Sequence, residues 1–229
     1  MRAVIAGGGI GGLTAALSLH EVGIDVQVLE SAREMRALGV GINLLPHATR
    51  ELVELGLGDQ LADVAIPTGK LAYFDRFGSP IWKSPAASPP ATGGRSTRSI
   101  GVSSRCSCCE RSRSAWASAP MYPIGSNGGS QAIVDGRVLA WHLARNRDDP
   151  AAGLAAYEDA RRDTVNAIVV ANRAMGPERV LAMVAHRAPN GFTHIDVFSA
   201  EELAEISSAY KRTAGFDAEE LNARPSWST

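Results

Sequence analysis

The 229-residue sequence has little sulfur and little net charge, and no apolar run in it is long enough to cross a bilayer. A spanning helix needs about 20 predominantly apolar residues. The three cysteines, Cys106, Cys108 and Cys109, are an odd, clustered set that builds no disulfide framework. They also lack a fourth partner at a structural-zinc spacing, so no metal is expected. A formal charge of −1 argues against a dedicated nucleic-acid or membrane binder. The first residues enter a structural pattern without a signal-peptide layout, which makes a cytoplasmic location the expectation. No internal repeat is visible.

What is present is a chain with 45% hydrophobic residues, enough for one core or one core with a small appendage. Residues 2–6 (RAVIA) read as a short buried strand, broken by the glycine run 7–12. Leu13, Ala16, Leu17 and Leu19 then fit a helix ending near Gly23, and residues 24–29 form a second strand closed by Glu30. Strand, glycine turn, helix and strand make a βαβ unit, which implies a parallel sheet in an α/β fold. A helix is predicted over 47–57, and a hairpin over 70–82 with its turn at Asp75 to Ser79. Further helices are predicted over 131–145, 151–175, 177–187, 200–213 and 217–222, and the tail with Pro225 is expected to fray. Residues 84–119 differ from the rest: they are rich in Ser, Pro, Arg, Gly and Cys, without periodicity.

Gly7, Gly9 and Gly12 satisfy the spacing G-x-G-x-x-G. Gly7 permits a tight turn out of the strand, Gly9 lets the backbone approach a pyrophosphate, and Gly12 lets the helix pack closely on the sheet. The helix start offers unpaired N–H groups and a partial positive charge to the phosphates. Glu30 lies at the distance where a carboxylate accepts hydrogen bonds from an adenosine ribose and repels a 2′-phosphate. A dinucleotide other than NADP follows; the fingerprint alone leaves FAD and NAD open.

Three further segments carry a resemblance. Residues 39–57 (GVGINLLPHATRELVELGL) resemble the post-ribose segment of the FAD-dependent aromatic hydroxylases, which are single-component flavin monooxygenases. Residues 120–139 (PMYPIGSNGGSQAIVDGRVL) resemble the stretch of that family in which a loop and a helix start face the flavin. Residues 151–225 resemble the C-terminal helices of the branch related to phenazine-modifying monooxygenases. The resemblance implies a Rossmann-like FAD-binding domain with a parallel sheet and C-terminal helices, and FAD as the cofactor. It implies NADH or NADPH as transient reductant, a small aromatic substrate and hydroxylation by flavin-activated dioxygen. Cofactor contacts are then expected from Gly7, Gly9, Gly12, Glu30, Gly41, Ile42, Pro123, Gly125, Asn127 and Gly128. No catalytic residue is assigned. His47 and His142 read as helix-surface or packing residues, with nothing placing either beside a nucleophile.

The chain departs from that pattern in its middle. The family's Gly-Asp pair, whose carboxylate binds the ribityl chain, falls here on Ala115 and Trp116. The substrate-binding sheet is largely missing. Read one base out of register, the possible codons of 85–117 permit a string such as GLAAGYRWPLYSIHRGVLEMLLLRAV, which resembles what the family carries after the hairpin. The expected organisation is residues 1–83 as the first part of an FAD-binding domain and 84–119 as an out-of-frame segment. Residues 120–229 then form the flavin-facing loop and C-terminal helices. The other reading is an inactive, truncated nucleotide-binding fragment.

Overall fold

A computed structural model describes residues 1–34, 42–66, 70–85, 127–192 and 197–227. The irregular segment that departs from the family pattern, with Ala115 and Trp116, lies almost wholly outside the described residues. So do Gly41, Pro123 and Gly125.

Two strands, β1 (Arg2–Ala6) and β2 (Asp25–Leu29), pair in parallel with Arg2 opposite Asp25 and Ala6 opposite Leu29. Helix α1 (Ile10–Glu21) connects them. This is the βαβ unit expected of the sequence. Alternation along each strand sends Ala3, Ile5 and Val26 to one face, where they pack on Leu19, Val22, Ile24, Leu139, Ala140 and Leu143. Leu19 and Ile24 are fully buried, and burial of such a side chain contributes about 1.5–3 kcal/mol. The opposite face is bare among the described residues: Val4 and Leu29 remain 55% and 52% exposed.

The central core is completed from far along the chain by α4 (Gly128–Arg145). Helices α1 and α4 run in the same direction, Gly11 facing Ala132 and Gly136 facing Ala15. A Cβ on Gly136 would sit 2.8 Å from the Ala15 backbone nitrogen, so the close crossing requires glycine there. Helix α5 (Pro150–Arg173) follows with proline at its first position and the Asp149 side chain accepting from the Ala152 N–H at 3.1 Å.

Between β2 and α4 lie α2 (Pro46–Glu54), α3 (Gly58–Val64) and a hairpin of β3 (Lys70–Phe74) and β4 (Pro80–Pro85). The helix expected over 47–57 stops earlier. Gly56 adopts φ +75° and the chain restarts as α3, which the sequence reading did not anticipate. The Asp75 carboxylate closes the hairpin turn by accepting from the Phe77 and Ser79 N–H groups at 2.9 and 2.7 Å. After a short 3₁₀ turn (Gly176–Glu178) come α6 (Arg179–Arg187), α7 (Ala200–Ala214) and α8 (Ala218–Ala223). Ser199 and Glu202 cap α7 reciprocally. The hairpin packs on α6 and the start of α7 in a second core built on Ile81, Val180, Val184, Phe198 and Leu203.

The tail expected to fray is instead fastened. Arg224 pairs with the buried Glu51, the Ser226 hydroxyl donates to Glu54 at 2.6 Å, and Trp227 meets Trp141 edge-on at 5.3 Å. No described helix is long and apolar enough to cross a membrane.

Candidate nucleotide-binding site

The glycine loop is shaped by its backbone. Gly7 adopts φ +109°, a conformation that favours glycine, and its N–H donates to the Leu29 carbonyl at 2.7 Å. Gly9 is the extended residue that starts α1. A Cβ on Gly12 would overlap the Gly7 carbonyl oxygen and stand 3.3 Å from Ile5 Cγ2, so the helix can lie against the loop only with glycine there. The first helical backbone bond is Leu13 N–H to Gly9 O. Donors before it in α1 have no partner in the helix ladder.

Glu30 faces this loop. Its Oε2 accepts from the Gly8 N–H at 2.6 Å, and its Oε1 accepts from the Ala32 N–H at 2.8 Å and the Ser31 hydroxyl at 3.2 Å. The Ala32 and Gly8 N–H groups hold its carboxyl below the usual carboxylate range.

Helix α4 brings its own start to the same end. Its ladder begins at Gln131 N–H to Asn127 O, and Gly129 leaves room for Ile42 and Ile10, whose atoms lie 3.2 and 3.8 Å from where its Cβ would be. The Leu45 N–H donates to Ser130 Oγ at 3.0 Å, docking the segment after Ile42 against this helix start. The two helix starts and Ile42, which the sequence assigned separately, are therefore neighbours. Gly128 is exposed, whereas the Asn127 side chain is fully buried and turned inward.

Behind Asn127 lies a buried polar network that sequence reasoning missed. Asn127 Nδ2 donates to the Tyr210 hydroxyl at 3.1 Å, which donates to Asn172 Oδ1 at 2.8 Å. Arg161 donates to Asp135 and to Gln131 Oε1, both at 2.6 Å. A guanidinium only donates, so Gln131 must present Nε2 to the Ala214 carbonyl at 3.0 Å and His47 Nε2 at 3.2 Å. His47 is buried, not at the helix surface. Burial, with the charges of Arg161 and Arg224, lowers its pKa to about 3. No motif marks these residues, because polar side chains on amphipathic helices read as solvent-facing.

A second cluster lies deeper on α4. Buried Arg137 reaches Glu21 at 2.5 Å and Glu51 at 3.4 Å, and burial pushes the Glu51 carboxyl up. Among the described residues no group of His, Cys, Asp and Glu could hold a metal ion.

No family model matches the chain. It is 55% identical over 83 residues, 36% of its length, to the phenazine 1,6-dicarboxylic acid hydroxylase PhzS of Lysobacter antibioticus, covering 20% of that protein. It is 37% identical over 75 residues, 33% of its length, to an FAD-dependent urate hydroxylase of Klebsiella pneumoniae, again covering 20%. The homologues are thus FAD-dependent aromatic hydroxylases, matching about a third of this chain, and the chain spans about one fifth of their length. The crystal structure of the tetracycline destructase Tet(55) superposes on 93% of this chain and 96% of its own with a TM-score of 0.52 at 11% identity, which shows a shared fold alone.

Proposed function

We propose that this chain binds FAD in a Rossmann-like domain. Its adenosine and pyrophosphate would lie on the loop of Gly7, Gly9 and Gly12 and on Glu30, and its flavin at the start of α4. One observation carries the reading: the α1 start, the α4 start and Ile42, far apart in sequence, meet at one end of the molecule. The residues fit a nucleotide, since Gly12 lets α1 start directly against the loop, where its unpaired N–H groups suit phosphates, and Glu30 offers a carboxylate at the end of β2. Gly41, Pro123, Gly125, Asn127 and Gly128 complete the proposed contacts. Asn127 acts through its main chain, because its amide is engaged inside the protein.

On this reading the activity is hydroxylation of a small aromatic molecule, as the names of the relatives suggest, with NADH or NADPH as the transient reductant. When bound, FAD supplies the redox chemistry and the activation of dioxygen. The chain's residues would bind and orient it: α1 N–H groups would meet the phosphates, Glu30 would accept a ribose hydroxyl, and α4 N–H groups would offer donors to the flavin where negative charge needs support. Residues 1–83 and 120–229 form one domain, which the packing of α4 on α1 supports, and 84–119 is out of frame. Resequencing the gene tests that last point; an intact frame through Pro85 would sink it.

A second reading, a nucleotide-binding fragment without turnover, is favoured by the bare face of β1 and β2. One experiment separates the two. The purified chain is examined for flavin absorbance and for NAD(P)H oxidation with and without phenols. Yellow protein with phenol-stimulated oxidation supports the hydroxylase. Yellow protein without it supports the fragment, and colourless protein that takes up no added FAD overturns the FAD reading.

A further inference from the structure

Three consecutive glycines have no side chains with which to pack themselves into one shape, and glycine loses more conformational freedom on ordering than any other residue. Something else must hold Gly7, Gly8 and Gly9 before a ligand arrives. Two adjacent residues at the end of β2 supply the hold. The Leu29 carbonyl takes the Gly7 N–H at 2.7 Å, and the Glu30 carboxylate takes the Gly8 N–H at 2.6 Å. Through its other oxygen Glu30 is tied to Ala32 and Ser31, so the side chain bridges the loop and the turn after β2.

We propose that Glu30 is a positioning residue for the glycine loop: its carboxylate clamps the Gly8 N–H in the nucleotide-free protein and so presets the loop for a pyrophosphate. The ligand part rests on the nucleotide reading above, while the clamp itself does not. A carboxylate offers about four lone-pair sites. At least three are taken, by Gly8 on Oε2 and by Ala32 and the Ser31 hydroxyl on Oε1, and the Ser31 N–H also supports the carboxylate. The clamp also explains the length of the side chain, because aspartate would withdraw the carboxylate by one methylene.

Amide hydrogen exchange in the nucleotide-free full chain tests the clamp, comparing wild type with Glu30→Gln and Glu30→Asp. Glutamine has one acceptor oxygen and cannot serve Gly8 and Ala32 together; aspartate keeps the charge but not the reach. Exchange at Gly8 or Ala32 should rise about tenfold or more in both variants, as for loss of a charge-assisted hydrogen bond. Gly7, held by Leu29, should keep its protection. Equal exchange at Gly8 and Ala32 in all three proteins, or an unprotected Gly8 in wild type, overturns the clamp. Binding of ADP and of 2′,3′-dideoxy-ADP provides the second arm. A clamp predicts that Glu30→Gln weakens both several-fold, whereas a role confined to the ribose spares the dideoxy nucleotide and overturns presetting. Failure of wild type to bind either nucleotide would count against the nucleotide reading and the presetting together. The exchange arm would still decide the clamp.

Discussion

Acidification should destabilise this protein through His47, and the size of the effect follows from its surroundings. Gln131 cannot turn its oxygen toward the ring, because Arg161 holds that oxygen at 2.6 Å. His47 Nε2 therefore faces an N–H and must stay unprotonated, inside a buried site near two guanidinium charges. The folded pKa is about 3, against about 6.5 for the exposed ring in the unfolded chain. The unfolded state takes up a proton as pH falls through about 6.5, and the folded state does not until about pH 3. Stability is lost across that window and levels off below it. At pH 5 the loss is about 2 kcal/mol relative to neutral pH, from a gap of about 1.5 pH units at about 1.4 kcal/mol each. The assay is urea unfolding at pH 7 and pH 5 of wild type and His47→Phe, which keeps a ring against Phe216. Other titrating groups, including Glu51 and Asp135, are common to both proteins and cancel in the difference. Wild type should lose about 2 kcal/mol more than the variant. Equal losses would refute the argument that His47 is held neutral.

Gly12→Ala places a methyl against the Gly7 carbonyl, which is backbone and cannot move aside; nucleotide affinity should fall at least about tenfold in an ADP titration, with about 1–3 kcal/mol of lost stability. Gly136→Ala sets a gain in helix propensity of about 1 kcal/mol against a collision with the Ala15 backbone, and thermal melting should show the collision winning. Glu51→Gln leaves Arg137 and Arg224 without the carboxylate between them, and urea unfolding should report a loss of about 3–5 kcal/mol.

The elements of the fold were legible where a local signal exists. The βαβ unit announces itself through two short apolar runs, a glycine turn and an acid. The hairpin does so through the turn at Asp75 to Ser79. The misses have a common physical origin in contacts between distant parts of the chain. Leu55 and Leu57 continue the apolar spacing of α2, yet Gly56 turns the backbone and α3 begins. The tail looked free because nothing in Arg224, Ser226 or Trp227 says that Glu51, Glu54 and Trp141 await them 173, 172 and 86 positions upstream. At the site the glycines and Glu30 were readable, because close backbone approach demands particular residue types at fixed offsets. The inward turn of Asn127 was not, since the same amide could as well have faced a ligand.

The two ends of the proposed site are supported differently, and one substitution should separate them. The ribose end is built within the first 32 residues, from the loop, β2 and Glu30. The α4 end is held from behind by α5 and α7, through Asn127, Tyr210 and Asn172. Tyr210→Phe removes one hydroxyl that both accepts from Asn127 Nδ2 and donates to Asn172 Oδ1. The ring itself stays, with its edge-on contact to Phe216 at 6.2 Å. Both amides are fully buried and would lose that partner without water to replace it. Each orphaned group costs about 1–3 kcal/mol, enough to loosen the first turn of α4 by a factor of ten or more. The Gln131 amide, the first in the α4 ladder, should then exchange faster, while Gly8 and the affinity for ADP stay as in wild type, because the Tyr210 hydroxyl bonds to Asn127 and Asn172 and not to the glycine loop. Loss of ADP affinity in this variant would mean that the two ends are one cooperative unit, and that the α4 start shapes the loop through its packing on α1.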